Sequence, residues 1–457
     1  MEHSERTYQS VVDDLTGREH VIYVAGVAML FFIQFQAIPI QLPVQNVPVT
    51  SIIALFVLPF CIQRIPRSQM FSVVAAFMIF SIVHSGIGLI VDLLTGSGLP
   101  RFIAWIRQGF ALFLGFAAYV VLRHAFRYIG NRDIMRIIVI GAIPAIIIAL
   151  VNIVWGATGL GWAKAFVMNA RFIACGFCYM SPFRAAGLAT EPASFATILA
   201  IFVFPAALYF LHVRGWTFKT GMFLAGSLLS FLWTFSTTGV GILLGTLFGG
   251  MVLGPFKRMM RRSAVAFVII GAAFLMLFPK NQIFRHATAI LKGRENISFT
   301  DRFYSFAGPF ILSLESASMF GYGLGFAVTH FEEVIPDDVQ AGILAVKYKD
   351  NPSIAIITGR VYAETGFIGL LIWIGIFFVA VWKLQRLIKY ARDGDEEVFF
   401  KLVRLGLLSL GISMFATIGP YHLPLIWVWL ALIDARYIAA VERNAFQQSA
   451  SKTLNGS

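Results

Sequence analysis

The stretch from Ile137 to Val151 reads IIVIGAIPAIIIALV and contains no charged side chain. It lies inside a longer apolar run over residues 136–156, which as an α-helix is long enough to cross a hydrocarbon core of about 30 Å. A helix is expected because it satisfies every backbone polar group internally where no water is present. The stretch therefore predicts a transmembrane helix.

Similar runs recur along the whole chain of 457 residues, of which 58% are hydrophobic and 13% are charged. Soluble domains contain roughly half apolar and about a quarter charged residues, so this composition excludes that class. About twelve spans are predicted from their length. They cover residues 21–41, 48–62, 70–94, 102–122, 136–156, 188–211, 221–236, 238–255, 264–279, 362–384, 402–418 and 423–440. We expect an all-α, polytopic transmembrane helical bundle that forms a single integral membrane domain over residues 1–457.

Lysine and arginine are concentrated in alternate loops, which predicts that those loops face the cytoplasm. The basic loops include Arg64 and Arg67, Arg123 to Arg136, Arg214 and Lys219, Lys257 to Arg262, and Lys383 to Arg392. Both termini then lie inside, with a cytoplasmic leader at 1–20 and a cytoplasmic tail at 441–457. Topology explains the net charge of +13, and no aromatic-interleaved basic face predicts nucleic acid as a partner. The expected location is a bacterial inner (cytoplasmic) membrane.

Two outward connections are much longer than the others. They are a periplasmic loop at 157–187 and a large periplasmic loop at 280–361, for which we expect a mostly helical cap. Long loops in compact proteins are commonly functional. The working residues are therefore expected on this side.

Ionisable residues inside the predicted spans are costly and need partners. Arg107 and Asp92 could form a structural pair, or Arg107 could bind an anion. His84 is interpreted as a hydrogen-bonded interior histidine, and Asp434 with Arg436 as an interfacial ion pair without a chemical role.

The segment Phe183–Ser194 reads FRAAGLATEPAS where an outward loop enters a span. Thr190 can cap the helix and Pro192 suits its first turn, which places Glu191 near the positive end of the helix dipole. Two interpretations remain open. Arg184 can simply compensate Glu191, or the arginine and the helix start can hold a phosphate group.

Three further motifs follow along the chain: STTG at 236–239, TDRFY at 300–304 and FGYGLGF at 320–326, before GRVYAETGFIG at 359–369 opens the next span. The alternating glycines lack the Lys-Ser/Thr of a phosphate loop, so they predict tight backbone turns. Arg302 is the informative residue in these motifs.

In this order and on this topology, the motifs resemble those of the O-antigen polymerase and O-antigen ligase superfamily over residues 180–370. The matching elements are Arg184-x-x-Gly187-x-x-x-Glu191-Pro192, Ser236 to Gly239, Asp301-Arg302, Gly321-x-Gly323-x-Gly325 and Glu364-x-Gly366-x-x-Gly369. The resemblance implies a membrane glycosyltransferase of the GT-C-like type. Such an enzyme takes its sugar from an undecaprenyl diphosphate-linked oligosaccharide, without a metal ion or another cofactor.

The resemblance also implies roles for individual residues. Arg184 and Arg302 match the arginines that hold the diphosphate, and Arg360 is a third candidate by position. Glu191 is the first candidate for the base that accepts the acceptor's proton, followed by Glu364 and Asp301. Secondary candidates are Arg107, Tyr304, Tyr362 and His330.

The polymerase branch is favoured over the ligase branch, which transfers glycan to lipid A core. Ligases typically carry a histidine before the Glu-x-Gly element, whereas this chain has Asn351 to Ala355 there, without histidine. Expected partners are membrane lipid and a chain-length regulator and flippase of the same pathway. A lipid-linked oligosaccharide flippase is the other alternative, but charge is concentrated in outward loops rather than along a crossing pathway.

Overall fold

The computed structural model describes residues 15–37, 47–62, 67–94, 98–175, 181–253, 261, 264–265, 268–273, 302–303, 306–311, 319–325 and 356–455. Within these ranges every long regular element is an α-helix and no strand occurs. The helices are α1 (Gly17–Phe31), α2 (Val49–Ile62), α3 (Gln69–Leu94), α4 (Gly98–Ala125), α5 (Asn131–Thr158), α6 (Gly161–Cys175), α7 (Pro192–Arg214), α8 (Phe218–Trp233), α9 (Thr237–Leu253), α10 (Ile357–Lys389), α11 (Gly394–Ser413) and α12 (Pro424–Asn455).

Six of the described helices contain a segment that is long and apolar enough to cross a membrane. The segments are Gln69–Val91, Phe102–Ala125, Asn131–Thr158, Pro192–Arg214, Ile357–Lys389 and Pro424–Arg443. Three other predicted spans correspond to shorter apolar helices, α2, α8 and α9. The all-α, multi-pass architecture agrees with the hydropathy pattern, whereas the number twelve stays a prediction.

The connection at 157–187, which the sequence predicts as an outward loop, includes a helix among its described residues. It contains α6, an amphipathic helix whose exposed residues include Trp162 and Phe172. In the larger predicted cap, the described residues comprise short helical stretches at 302–303 and 306–311 and an irregular segment at 319–325. The remainder of that cap lies outside the described residues.

Helix α7 is interrupted by a π-helical turn at Leu199–Val203. Pro205 follows this turn and has no backbone N–H to donate to the preceding turn. Neighbouring helices supply donors instead: Ser409 Oγ donates to the Ala200 carbonyl at 3.3 Å and Trp429 Nε1 to the Ile201 carbonyl at 3.2 Å. These bonds allow a distorted helix to stay buried.

An aromatic core fills the space where α3, α4, α10 and α12 meet. Trp373 packs against Phe77 at a ring-centroid distance of 5.0 Å and against Trp427 at 6.1 Å. Trp427 Nε1 donates to the Tyr421 carbonyl at 2.7 Å. A side chain at position 115 would collide with this hydrogen-bonded pair, so Gly115 permits the close approach of α4.

The bundle has two chemically different ends. The basic end is defined by Arg132, Arg392, Arg436 and Arg443, which lie around one cleft. At the opposite end, which we call the loop end, the residues around Tyr421 meet the start of α10 and the segment 319–325.

A group of buried charges lies between α4, α10 and α12. Both Arg123 Nε and Lys383 Nζ approach the Asp434 carboxylate, at 2.7 and 2.6 Å, and all three side chains are at most 1% exposed. Tyr119 and Ser68 donate hydroxyl hydrogen bonds to the same carboxylate at 2.8 Å each. The sequence-based pairing of Asp434 with Arg436 is therefore wrong, because these side chains leave α12 in different directions.

Arg436 instead donates from Nη2 to the Ile129 carbonyl at 2.5 Å. The two residues are only two positions apart in α12, which separates them by roughly 200° around the helix axis. Asp434 consequently faces the bundle interior, not the membrane interface.

Candidate functional site

Of the two predicted site acids that the structure describes, Glu364 is the more deeply buried, with 1% of its side chain exposed, whereas Glu191 is partly exposed. Its Oε2 accepts from the Tyr421 hydroxyl at 2.8 Å, and its Oε1 accepts from the Gly325 N–H at 3.1 Å. Burial and the neighbouring carboxylate raise the pKa of Tyr421 well above its usual range, so the phenol remains a proton donor. Both oxygens of Glu364 therefore have defined partners.

The glycine-alternating segment 319–325 is fastened to the start of α10 by backbone hydrogen bonds. The Tyr322 and Gly323 N–H groups donate to the Ala363 and Glu364 carbonyls at 2.7 and 2.9 Å, and the Phe367 N–H donates to the Met319 carbonyl at 3.0 Å. Two motifs that are about forty residues apart in sequence thus form one unit.

The contact between segment 319–325 and the start of α10, which we call the joint, requires glycine at two positions. Gly366 adopts φ 65° and ψ −163° inside α10, where it breaks the helical geometry. A Cβ on Gly321 would lie 2.5 Å from the Thr365 nitrogen, and one on Gly366 would meet the Met319 carbonyl. The glycines therefore allow two backbones to touch, as the predicted tight turns require.

Residues of α3 support the same segment from its other side. His84 Nε2 lies 3.1 Å from the Gly321 carbonyl, and its ring stacks on Phe80. Ser85 Oγ accepts from the Leu324 N–H at 2.8 Å. The hydrogen bond expected of His84 is present, and its ring is half-buried.

Arg360 lies one turn before Glu364 on α10 and is 6% exposed. The opposite charges of the two side chains attract each other. Tyr362 stacks on Phe310 with a centroid distance of 4.1 Å, which attaches the helical stretch at 306–311 to α10. Arg302, four residues before Phe306, is half-buried in the described part of the cap.

The Arg184–Glu191 element packs against the turn that precedes α9. Arg184 Nε donates to the Thr234 carbonyl at 3.0 Å, and the Ala185 N–H donates to the Trp233 carbonyl at 3.0 Å. Ser236 Oγ accepts from the Gly239 N–H at 3.0 Å. The first two motifs of the resemblance are therefore neighbours in space.

Glu191, not Thr190, is the N-cap residue of α7, and Pro192 occupies the first turn as expected. The Thr190 N–H and hydroxyl both lie within hydrogen-bond distance of Gln36 Oε1, at 3.4 and 3.2 Å. The partly exposed Glu191 carboxylate forms no ion pair with any residue that the structure describes. Simple charge compensation by Arg184 is thus not what the structure contains.

Sequence reasoning missed Arg171, which is 2% exposed on α6. Its Nη1 donates to the Gly187 carbonyl at 2.9 Å and its Nη2 to the Thr190 carbonyl at 3.4 Å. Burial lowers the pKa of Arg171 to about 10, which leaves it charged at neutral pH. An arginine within an apolar stretch was the available signal.

Tyr421 was also missed, because nothing in its local sequence marks it as a partner of Glu364. Gln36 likewise lies far from Thr190 in sequence. Only packing brings these pairs together.

Several predicted residues cannot be placed in this arrangement. Asp301, Tyr304 and His330 lie outside the described residues, as does the side chain of Asp92. Arg107 is exposed on α4, and its proposed pairing with Asp92 stays a prediction.

Comparison with known proteins adds no identification. No protein-family model and no curated protein matches the chain in sequence.

Proposed function

We propose that this chain is a metal-independent membrane glycosyltransferase that polymerises undecaprenyl diphosphate-linked oligosaccharide repeat units. The products in this proposal are the repeating glycans of an O-antigen, a capsule or an exopolysaccharide. The observation that carries the proposal is the hydrogen-bonded joint between Gly325 and Glu364. It unites the glycine-alternating segment with the Glu-x-Gly span start, two elements whose order along the chain suggested the family.

A second pairing supports the same proposal. The Arg184–Glu191 element contacts the turn before Ser236, so it too joins two of the resembling motifs. Both pairings contain an arginine and a carboxylate near the end of a long apolar helix. An enzyme that acts on one side of a membrane needs its charged groups at that surface, whereas a transporter needs them along a path through the bilayer.

The proposed reaction is a displacement at the anomeric carbon of the donor sugar. A hydroxyl oxygen of the acceptor repeat unit forms a bond to that carbon, and the bond from the carbon to the diphosphate oxygen breaks. The lipid diphosphate leaves with the bonding electron pair. The hydroxyl proton passes to a carboxylate.

Fixed guanidinium groups suit the leaving group, because bidentate hydrogen bonds stabilise the charge that develops on the diphosphate. Arg184 and Arg302 take this role in the proposal, since both side chains are partly exposed. Arg360 is more buried and faces Glu364, so we assign it to positioning of the α10 start.

Glu191 is the better base of the two described carboxylates. It is partly exposed and has no described ion-pair partner, whereas both oxygens of Glu364 are already occupied and inaccessible. Glu364 therefore suits a positioning role. Arg171 would act similarly by holding the loop that carries Arg184 and Glu191.

The proposed setting is a bacterial inner membrane, with the basic end and both termini in the cytoplasm. The positive-inside rule supports this orientation. The loop end then faces the periplasm, where a flippase would deliver the lipid-linked repeat units and a chain-length regulator would act on the growing polymer.

The test is complementation of a deletion strain, followed by gel analysis of the glycan and measurement of protein abundance. Arg184→Ala and Arg302→Ala should abolish chain growth while abundance stays near normal. Arg386→Ala is the matched control, because this exposed arginine lies at the opposite end of α10 over Trp382. Full-length polymer in both loop-end variants would contradict the proposal.

The deletion strain itself separates the alternatives. Single repeat units on lipid A core would indicate a lost polymerase. Bare core with polymer left on its lipid carrier would indicate a ligase instead. Inward-to-outward movement of a labelled lipid-linked sugar by the purified chain in liposomes would favour a flippase.

A further inference from the structure

The basic end contains a cleft of about 460 Å³ that the proposed reaction does not use. It is bounded by the start of α5, by α7, by the turn between α10 and α11, and by α12. Its volume lies within the range of about 300–1,000 Å³ that is typical of small-molecule sites. We propose that this cleft binds the phosphate group of a membrane phospholipid headgroup.

The charges of the cleft favour an anion. Four arginines and three carboxylates line it, and these carboxylates are Asp393, Asp395 and Glu396. The Glu396 carboxylate is paired with Arg392, whose guanidinium group donates to both of its oxygens, at 3.0 and 3.1 Å. Asp393 accepts from the Glu396 N–H at 2.7 Å and so caps α11.

The other three arginines of the cleft are Arg132, Arg436 and Arg443. Within the described part of the chain, none of them forms an ion pair. Arg436 donates only one hydrogen bond there, to the Ile129 carbonyl. Carboxylates do act on these arginines from a distance, Glu396 on Arg436 and Arg443 and Asp133 on Arg132. Because none of these contacts is a direct ion pair, guanidinium N–H groups remain in the cleft to hydrogen-bond a phosphate.

The position of the cleft favours a lipid over a free anion. It lies where the apolar segments of α7, α10 and α12 end, and the length of these segments predicts phospholipid headgroups at that level. Leu387, Phe400 and Ala440 supply apolar lining beside the arginines, so the glycerol and upper acyl carbons also have partners. Basic pockets between transmembrane helices are known to bind phospholipid headgroups.

The test measures lipid binding to the delipidated full-length chain by native mass spectrometry, with phosphatidylglycerol as the probe. Diacylglycerol, which lacks phosphate, is the lipid control. We expect the double variant Arg132→Ala/Arg443→Ala to weaken phosphatidylglycerol binding at least tenfold, and higher salt to weaken it in the wild type. Arg436 is left intact because its bond to Ile129 supports the fold.

The matched control is Arg386→Ala, which removes an arginine from the same end of α10 outside the cleft and should leave binding unchanged. Equal phosphatidylglycerol binding by the double variant would overturn the proposal, as would equal binding of diacylglycerol. Displacement of the lipid by millimolar inorganic phosphate would overturn the lipid assignment. The readout does not involve polymer formation, so it is independent of the proposed function.

Discussion

The Tyr421 hydroxyl donates to the Glu364 carboxylate across 2.8 Å, between two side chains that are at most 1% exposed. Glu364 also accepts from Gly325, so this pair connects the last inter-helix turn, the start of α10 and the glycine-alternating segment.

Tyr421→Phe should destabilise the protein without changing its shape. The substitution leaves Glu364 Oε2 buried without its donor, which costs about 1–3 kcal/mol. Thermal unfolding in detergent should show a lower midpoint for Tyr421→Phe. Tyr390→Phe, at an exposed position of the basic end, is the control and should leave the midpoint unchanged. Equal midpoints for wild type and Tyr421→Phe would contradict the importance of the hydrogen bond.

Replacing Glu191 or Glu364 by glutamine should have different effects on chain growth and on stability. Glu191→Gln should abolish chain growth with an unchanged unfolding midpoint, because its carboxylate has no described ion pair. Glu364→Gln should lower the midpoint, because one carboxylate oxygen becomes an NH2 group, which cannot accept the hydrogen bond that Gly325 or Tyr421 donates to that oxygen. Glycan analysis and thermal unfolding on the same preparations measure both effects. Normal polymer from Glu191→Gln would exclude it as the base.

Gly366→Ala should disrupt the joint between α10 and the segment 319–325. At φ 65° an alanine is strained, and its Cβ would meet the Met319 carbonyl and lie 2.5 Å from the Gly321 nitrogen. We expect chain growth to fall at least tenfold. Gly375→Ala is the matched control on the same helix, because its nearest described neighbour, Val73 Cγ1, is 3.9 Å from the added carbon. Similar activity of both variants would show that the joint is not needed.

Asp434→Asn should be strongly destabilising, because it leaves Arg123 and Lys383 buried without their shared carboxylate. Removing one partner of a buried ion pair costs about 3–5 kcal/mol. The exposed pair of Arg127 and Glu442 provides the control, and Glu442→Gln should cost less than about 1 kcal/mol.

A second substitution makes the test for Asp434 specific to charge. Adding Lys383→Met to Asp434→Asn removes one of the uncompensated cations and should restore part of the thermal midpoint. No recovery in the double variant would argue that packing, not charge, dominates at this place.

Hydropathy alone predicted the all-α class and located long helices well. The apolar run at 136–156 lies within α5, Asn131–Thr158, and Pro192 begins α7 as its sequence context indicates. These features are local, because a run of apolar side chains and a capping residue act within a few turns of the chain. The alternating glycines at 321, 323 and 325 predicted tight turns, but neither which backbone they would touch nor the break in α10 at Gly366.

Tertiary packing determined the hydrogen-bond and ion-pair partners of the buried polar side chains. Tyr421 is 57 residues from Glu364, and Arg123 and Lys383 reach Asp434 from two other helices, whereas sequence proximity favoured Arg436. Without water, buried polar groups must form hydrogen bonds with one another. Each therefore pairs with a group that the helix packing brings within about 3 Å. Periodicity gives the direction in which a side chain leaves its helix. Only the packed arrangement of several helices determines what it meets there.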